Sequence, residues 1–219
     1  MSALNRARLL ALGAVLGASL ALTGCISLLP EPNPRMLYRL DAGITETAPS
    51  PMRGAVPLSV ERISAPRALA GDKIAIDRGG AIAYMAGAAW ASPAPAMFES
   101  VLEDAFQAEA PQIYPVRAED GVSARFRLDV ALRRFEAVYD QGDNAAPLVR
   151  VAVRARIIDR DERILAARQV FTHEVRASAH RQGPIVAAFS SASGEAARDI
   201  ARWAAETVCE ADPEAAACR

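Results

Sequence analysis

Four clusters in this sequence carry residue types that can do chemistry. His173-Glu174 matches the start of the zinc-protease pattern, which needs a second histidine one helical turn later. That position is Ala177, so two imidazoles cannot face one metal. His173 therefore reads as a strand-face residue, and His180 sits in a loop without partner ligands. Ser190, Ser191 and Ser193 precede Gly194, but a nucleophile elbow sets its serine between two glycines on a strand-to-helix turn. Here they read as a small-residue helix surface packed closely on a sheet. Asp140, Asp143 and Asn144 around Gly142 lack the bidentate acid of a calcium loop and read as a hairpin turn. Gly79-Gly80 is turn chemistry, with none of the flanking residues of a phosphate loop. No catalytic residue, metal ligand or cofactor site emerges, and a non-enzymatic role is expected.

The cysteines are more informative. Cys25 follows Leu22-Thr23-Gly24 at the exit of an uncharged run, Leu9 to Leu22, which begins after Arg6 and Arg8. Fourteen residues fall short of the roughly 20 that span a bilayer. A positive start, a short apolar middle and a small-residue exit describe a secretory signal peptide over residues 1–24. The exit resembles the bacterial lipobox, whose cysteine thiol takes the lipid and becomes the first mature residue. The alternative is an ordinary signal peptide with an incidental cysteine. With Cys25 acylated, Cys209 and Cys218 are the two remaining thiols in an oxidising compartment, and a disulfide between them is expected. Closing so short a loop is worth roughly 2–3 kcal/mol. Free or intermolecularly paired thiols are the alternative.

The whole chain of 219 residues carries 25 Lys+Arg against 26 Asp+Glu, a net charge of -1, which argues against a dedicated nucleic-acid binder. Removing residues 1–24 takes away two arginines and no acid, so the mature chain is more acidic still. Arg127, Arg133, Arg150, Arg154 and Arg156 nevertheless alternate along two strands. They read either as a surface for anionic lipid headgroups or as a solvated face with ion pairs to Asp129, Glu136 and Asp159.

The elements that must position these residues follow from periodicity. Residues 25–35 alternate Pro30, Pro32 and Pro34 with other residues and read as an extended tether of roughly 3 Å per residue. One domain spans 36–209, followed by a polar tail over 210–219. Strands are expected at 36–40, 58–63, 73–77, 81–86, 113–116, 126–133, 149–157 and 164–175. One helix starts at Ser92-Pro93-Ala94-Pro95, buries Phe98, Val101, Leu102, Ala105 and Phe106, and stops at Pro111. A second runs from Pro184 to about Val208. Two amphipathic helices must cover an apolar sheet face, which gives a single α/β domain with a mixed, mostly antiparallel sheet.

Several of these segments together resemble a known family. They are the lipobox, Met36-Leu37-Tyr38-Arg39-Leu40, Leu58 to Ile63 leading to Pro66, Ile82-Ala83-Tyr84, and Trp90-Ala91-Ser92-Pro93 before an amphipathic helix. The chain is similar to the ABC-type transport auxiliary lipoproteins that accompany MCE-type lipid transporters. The family often has a larger polar residue where this chain has Ala89. The resemblance implies a three-layer domain like the anticodon-binding and TolB amino-terminal folds. It further implies a non-catalytic accessory of a machine that moves phospholipids or similar molecules, with an MCE-domain protein as partner and a separate permease and ATPase. Phospholipid as a ligand and a homo-oligomer are compatible with it. Ile26 after the cysteine, in place of the aspartate common in inner-membrane lipoproteins, favours the periplasmic face of the outer membrane. A scaffold or activator for peptidoglycan enzymes is the alternative function, and a hydrolase with a site assembled from distant residues a further one. The candidate docking surface is the Pro66 to Asp72 loop with Trp90 to Pro95; core packing is the default reading for Trp90, and an exposed Trp90 that anchors a partner is the alternative on which its place in the surface rests.

Mass spectrometry of the mature amino terminus should show an acylated Cys25, and Cys25→Ser should leave the chain unprocessed or released from its membrane. An intact Met1 in the wild-type chain would exclude lipidation.

Overall fold

A computed structural model describes residues 35–44 and 53–219. The segment 1–24, Cys25, the proline tether to Pro34 and part of the loop after Asp41 lie outside the described residues. In chain order the elements are β1 (Met36–Tyr38), β2 (Val56–Val60), β3 (Lys73–Arg78), β4 (Ala81–Trp90), α1 (Ala94–Glu109), β5 (Ile113–Val116), β6 (Phe126–Val138), β7 (Leu148–Asp159), β8 (Ile164–Arg176) and α2 (Gln182–Ala211). The fold is a single α/β domain with a mixed eight-stranded sheet and two main helices.

β6 organises the sheet. Along one edge it pairs antiparallel with β7 over its whole length, and β8 continues the meander. Along the other edge, β2 runs parallel to its start and β3 parallel to its end, with Ser64 bridging Ala131 between them. β2 and β3 are thus two pieces of one edge, interrupted by the excursion 65–72. β5 extends the β2 side, while β4 and then β1 extend the β3 side. The long pairings are antiparallel and the short ones mostly parallel.

Alternation explains β6 only as far as Leu132. Phe126, Leu128, Val130 and Leu132 are buried, and a register shift between Leu132 and Arg134 then lets Arg133 and Arg134 both face outward. Phe135 and Ala137 resume the buried face beyond this bulge. β4 is also longer than its pattern predicts. It continues through the small residues after Tyr84 to Trp90, with Gly87 at φ 67 in its irregular stretch. The β3–β4 turn is as expected: Gly79 and Gly80 take φ 62 and 89, and Gly80 N–H donates to Asp77 Oδ1 at 2.7 Å.

Both helices bury their apolar stripes in one core on the same sheet face. Among the described residues the opposite face carries no α-helix, so the helix pair and the sheet account for two of the three layers that the resemblance implies. Trp90, Phe135 and Phe189 form the centre of the core. Their ring centroids lie 5.7, 5.2 and 4.9 Å apart, from the ends of β4, β6 and α2 respectively.

The small-residue surface of α2 packs on the amino-terminal strap as well as on the sheet. Asp41 N–H donates to Ser190 Oγ at 3.0 Å, and a Cβ on Gly194 would lie 2.9 Å from the Ala42 carbonyl oxygen. After Ala211 the chain folds back on the helix end, where Cys209 and Cys218 are disulfide-bonded with Cα atoms 5.2 Å apart. The tail is therefore part of the domain: Ala215 and Cys218 pack against the core.

At the β7–β8 turn, Asp159 is buried. Arg125 Nε and Nη2 donate to its Oδ2 at 3.0 and 2.7 Å, while the backbone N–H groups of Asp161 and Glu162 donate to its Oδ1. The Arg125 hydrogen bond, assisted by those backbone donors, holds the Asp159 carboxyl below its ordinary range.

Trp90→Ala should remove roughly 3–5 kcal/mol of stability. For a domain of this size that lowers the thermal midpoint by about 10 °C or more. Calorimetry checks it, and an unchanged midpoint would contradict the burial. Because the Asp159 carboxyl is held low, its contribution is fully present above the unfolded value of about 4 and is lost as the pH falls through the folded one. Asp159→Asn should therefore lower the midpoint at neutral pH and flatten its decline below about pH 4.

Candidate docking surface

The excursion between β2 and β3 is held in a defined shape. Pro66 is exposed and its carbonyl accepts the Leu69 N–H at 2.8 Å, closing a short 3-10 turn over Arg67–Leu69 that buries Leu69. Further along, the Gly71 carbonyl accepts the Ala94 N–H at 3.1 Å and the Asp72 carbonyl accepts the Trp90 N–H at 2.6 Å. These bonds bring together the two segments, Pro66 to Asp72 and Trp90 to Pro95, that the sequence singles out.

Trp90 is a correction. It is 1 % exposed and packed edge-on to Phe189, so its ring belongs to the core and cannot act as a surface anchor. The cause is the length of β4. Because the strand persists to residue 90, its last side chain lands over the β6 bulge instead of in a loop. The indole Nε1 is buried there without a hydrogen-bond partner.

What the two segments do present is a groove of about 560 Å³, with Arg62, Ala65 and Ala70 on one side and Pro93, Pro95 and Ala96 on the other. Glu99 and Ser100 line it too, as does Arg117. That arginine pairs with Glu103 and lies 3.0 Å from Glu99, both on α1, and the Glu103 hydrogen bond raises its already high pKa. Arg117 comes from beyond β5 and carries no local sequence signal. The groove has small apolar walls, with Arg62 and the Arg117–Glu99 ion pair among its polar lining.

The other sequence candidates are held in structural contacts. Asp140 makes a bidentate pair with Arg176 at 2.7 Å, and Asp143 lies 3.3 Å from Arg78, so the calcium-like turn is a salt-bridged hairpin. His173 Nδ1 lies 3.2 Å from Glu195 and Nε2 3.0 Å from Asp199, two acids one turn apart on α2. Sequence reasoning missed this contact because it joins β8 to α2. Among the described residues no three His, Cys, Asp or Glu side chains converge to hold a metal ion, and no helix is long and apolar enough to cross a membrane.

The face of β6 and β7 away from the helices carries the arginines. Asp129 lies 3.1 Å from Arg127 and 3.0 Å from Arg156; Arg134 pairs with Glu136, and Arg150 with Glu174. Among the described residues Arg133 and Arg154 have no ion pair.

Among curated proteins no match to the chain is found. Among solved structures, protein XCC0632 from Xanthomonas campestris is similar with a TM-score of 0.65 and 23% identity, covering 73% of this chain and 90% of that one. A second, uncharacterized protein is similar with a TM-score of 0.60 and 18% identity, over 78% of this chain and 99% of the other. At these identities the likeness shows a shared fold. The family model described as the ABC-type transport auxiliary lipoprotein component matches residues 38–201, from β1 through most of α2. The chain belongs to the ABC-type transport auxiliary lipoprotein family.

Proposed function

We propose that this protein is a lipid-anchored accessory component of an MCE-type ABC transport system for phospholipids or similar hydrophobic molecules. It is held by Cys25 on the periplasmic face of the outer membrane and works by docking onto an MCE-domain partner. The observation that carries this reading is the family match over residues 38–201, in a chain whose Cys25 stands in a lipobox. Permease and ATPase are separate subunits. Anchoring at Cys25 keeps the domain at the membrane, which raises its effective concentration for a partner spanning the periplasm. A modest interface then suffices. The groove beside Pro66 supplies it, since its walls come from a loop pinned by three backbone hydrogen bonds and from the first turn of a helix, and so need little ordering on binding.

Affinity capture of the full chain from crosslinked, solubilised envelopes should recover an MCE-domain protein. Ala96→Glu places a carboxylate at the third position of α1, where it favours the helix, yet fills the groove. It should leave the thermal midpoint unchanged or higher and lower the recovery about tenfold, the yield of a contact worth about 1.4 kcal/mol. Recovery of peptidoglycan synthases in place of an MCE protein would replace this reading with that of a cell-wall scaffold.

A further inference from the structure

The sheet face turned away from the helices is chemically divided. Near the β7–β8 turn its cross-strand rows read Arg127, Ile158, Leu165; then Asp129, Arg156, Arg168; then Ala131, Arg154, Val170. These rows hold four arginines and one carboxylate, Asp129, already shared by Arg127 and Arg156; Glu61 and Arg62 stand together at their margin. The other half is balanced, since Glu136, Arg150 and Glu174 form one row across the same strands. A chain with a net charge of -1 thus concentrates positive charge on one half of one sheet face.

Two features of this half work against stability and so call for another purpose. Arg156 and Arg168 are direct cross-strand neighbours, and like charges so placed repel. Arg154 has no ion pair among the described residues, and its Nε is buried without an acceptor. Interleaved with these cations are exposed aliphatic side chains: Val170 is 58% and Leu165 52% exposed. Arginine forks take phosphate oxygens in pairs while their stems lie along apolar surface.

We propose that the Arg127–Arg154–Arg156–Arg168 half of this face docks on an anionic lipid surface, with phosphate headgroups on the guanidinium groups and Val170 and Leu165 at the acyl boundary. The inference rests on the anchored-lipoprotein reading for bringing the face to a membrane, and not on the identity of any partner. One acyl anchor and one basic, partly apolar patch then act together at the membrane.

The test uses the full chain with a dansyl-bearing side chain in place of Thr172, which is exposed, next along the face from Val170, and outside the three rows above. Vesicles are phosphatidylcholine alone, or the same with one-third phosphatidylglycerol, each with and without brominated acyl chains. Co-sedimentation with neutral vesicles reports the anchor; the difference between the two lipids reports the face, however the chain reaches the vesicle. A blue shift and bromine quenching on phosphatidylglycerol only, reversed by high salt, are expected. Arg154→Glu with Arg168→Glu should reduce that shift at least about tenfold. The thermal midpoint should not fall, because a carboxylate at 168 now opposes Arg156. The neutral pair Arg154→Gln with Arg168→Gln should give an intermediate loss. Equal signals on both lipids, or a shift that survives charge reversal, overturn the proposal. So does a response to polyglutamate without one to vesicles, which assigns the face to an acidic protein.

Discussion

Pairing of β6 along both edges is the constraint on which the rest of this structure depends. One strand is matched throughout by β7 on one side and by β2, Ser64 and β3 in succession on the other. A strand so enclosed must satisfy its backbone groups on both flanks, and the bulge at Arg133 and Arg134 is where it changes alignment to do so. The bulge also turns Phe135 into the core, and Phe135 is the ring that Trp90 and Phe189 meet. Remove that realignment and the aromatic centre loses the β6 ring that packs against both Trp90 of β4 and Phe189 of α2.

The same constraint creates the docking groove. Because β2 and β3 share one edge of β6, the chain must leave that edge and rejoin it further along. Residues 65–72 are the detour, with one short 3-10 turn over Arg67–Leu69, and the Asp72 and Gly71 carbonyls accept from Trp90 N–H and Ala94 N–H at the end of β4 and the start of α1. A loop at a break in a sheet edge, sewn to a helix start, is rigid and exposed at once. That combination suits recognition.

Much of this architecture was legible from local pattern. Phe126 to Leu132 and Val149 to Ile157 alternate cleanly, Phe98 to Phe106 repeats at helical spacing, and Gly79-Gly80 and Pro111 punctuate as their backbone chemistry requires. What failed had a common physical cause. β6 ran past Arg133 and β4 past Ala86 because long-range hydrogen bonding kept paired what local alternation no longer marked. Trp90 therefore read as a loop residue, although tertiary packing makes it core. Of the candidate surface, the two segments were readable from their prolines and glycines. Arg117 and the Glu195–His173–Asp199 contact were not, since each depends on how one element packs on its neighbour and not on local periodicity. The arginine rows were visible as alternation, but the Arg156–Arg168 opposition needed the register of β8.

Arg62 ties the two surfaces together. It lines the groove beside Pro66 and also a cleft of about 330 Å³ with Glu61, Ser64, Arg127 and Arg156, at the margin of the basic half-face. A long cation at that junction has two competing environments: the carboxylates of Glu61 and Asp129 with any phosphate drawn to the arginines, or a partner segment in the groove. On the proposed readings, the lipid-facing half and the protein groove therefore share one side chain, Arg62.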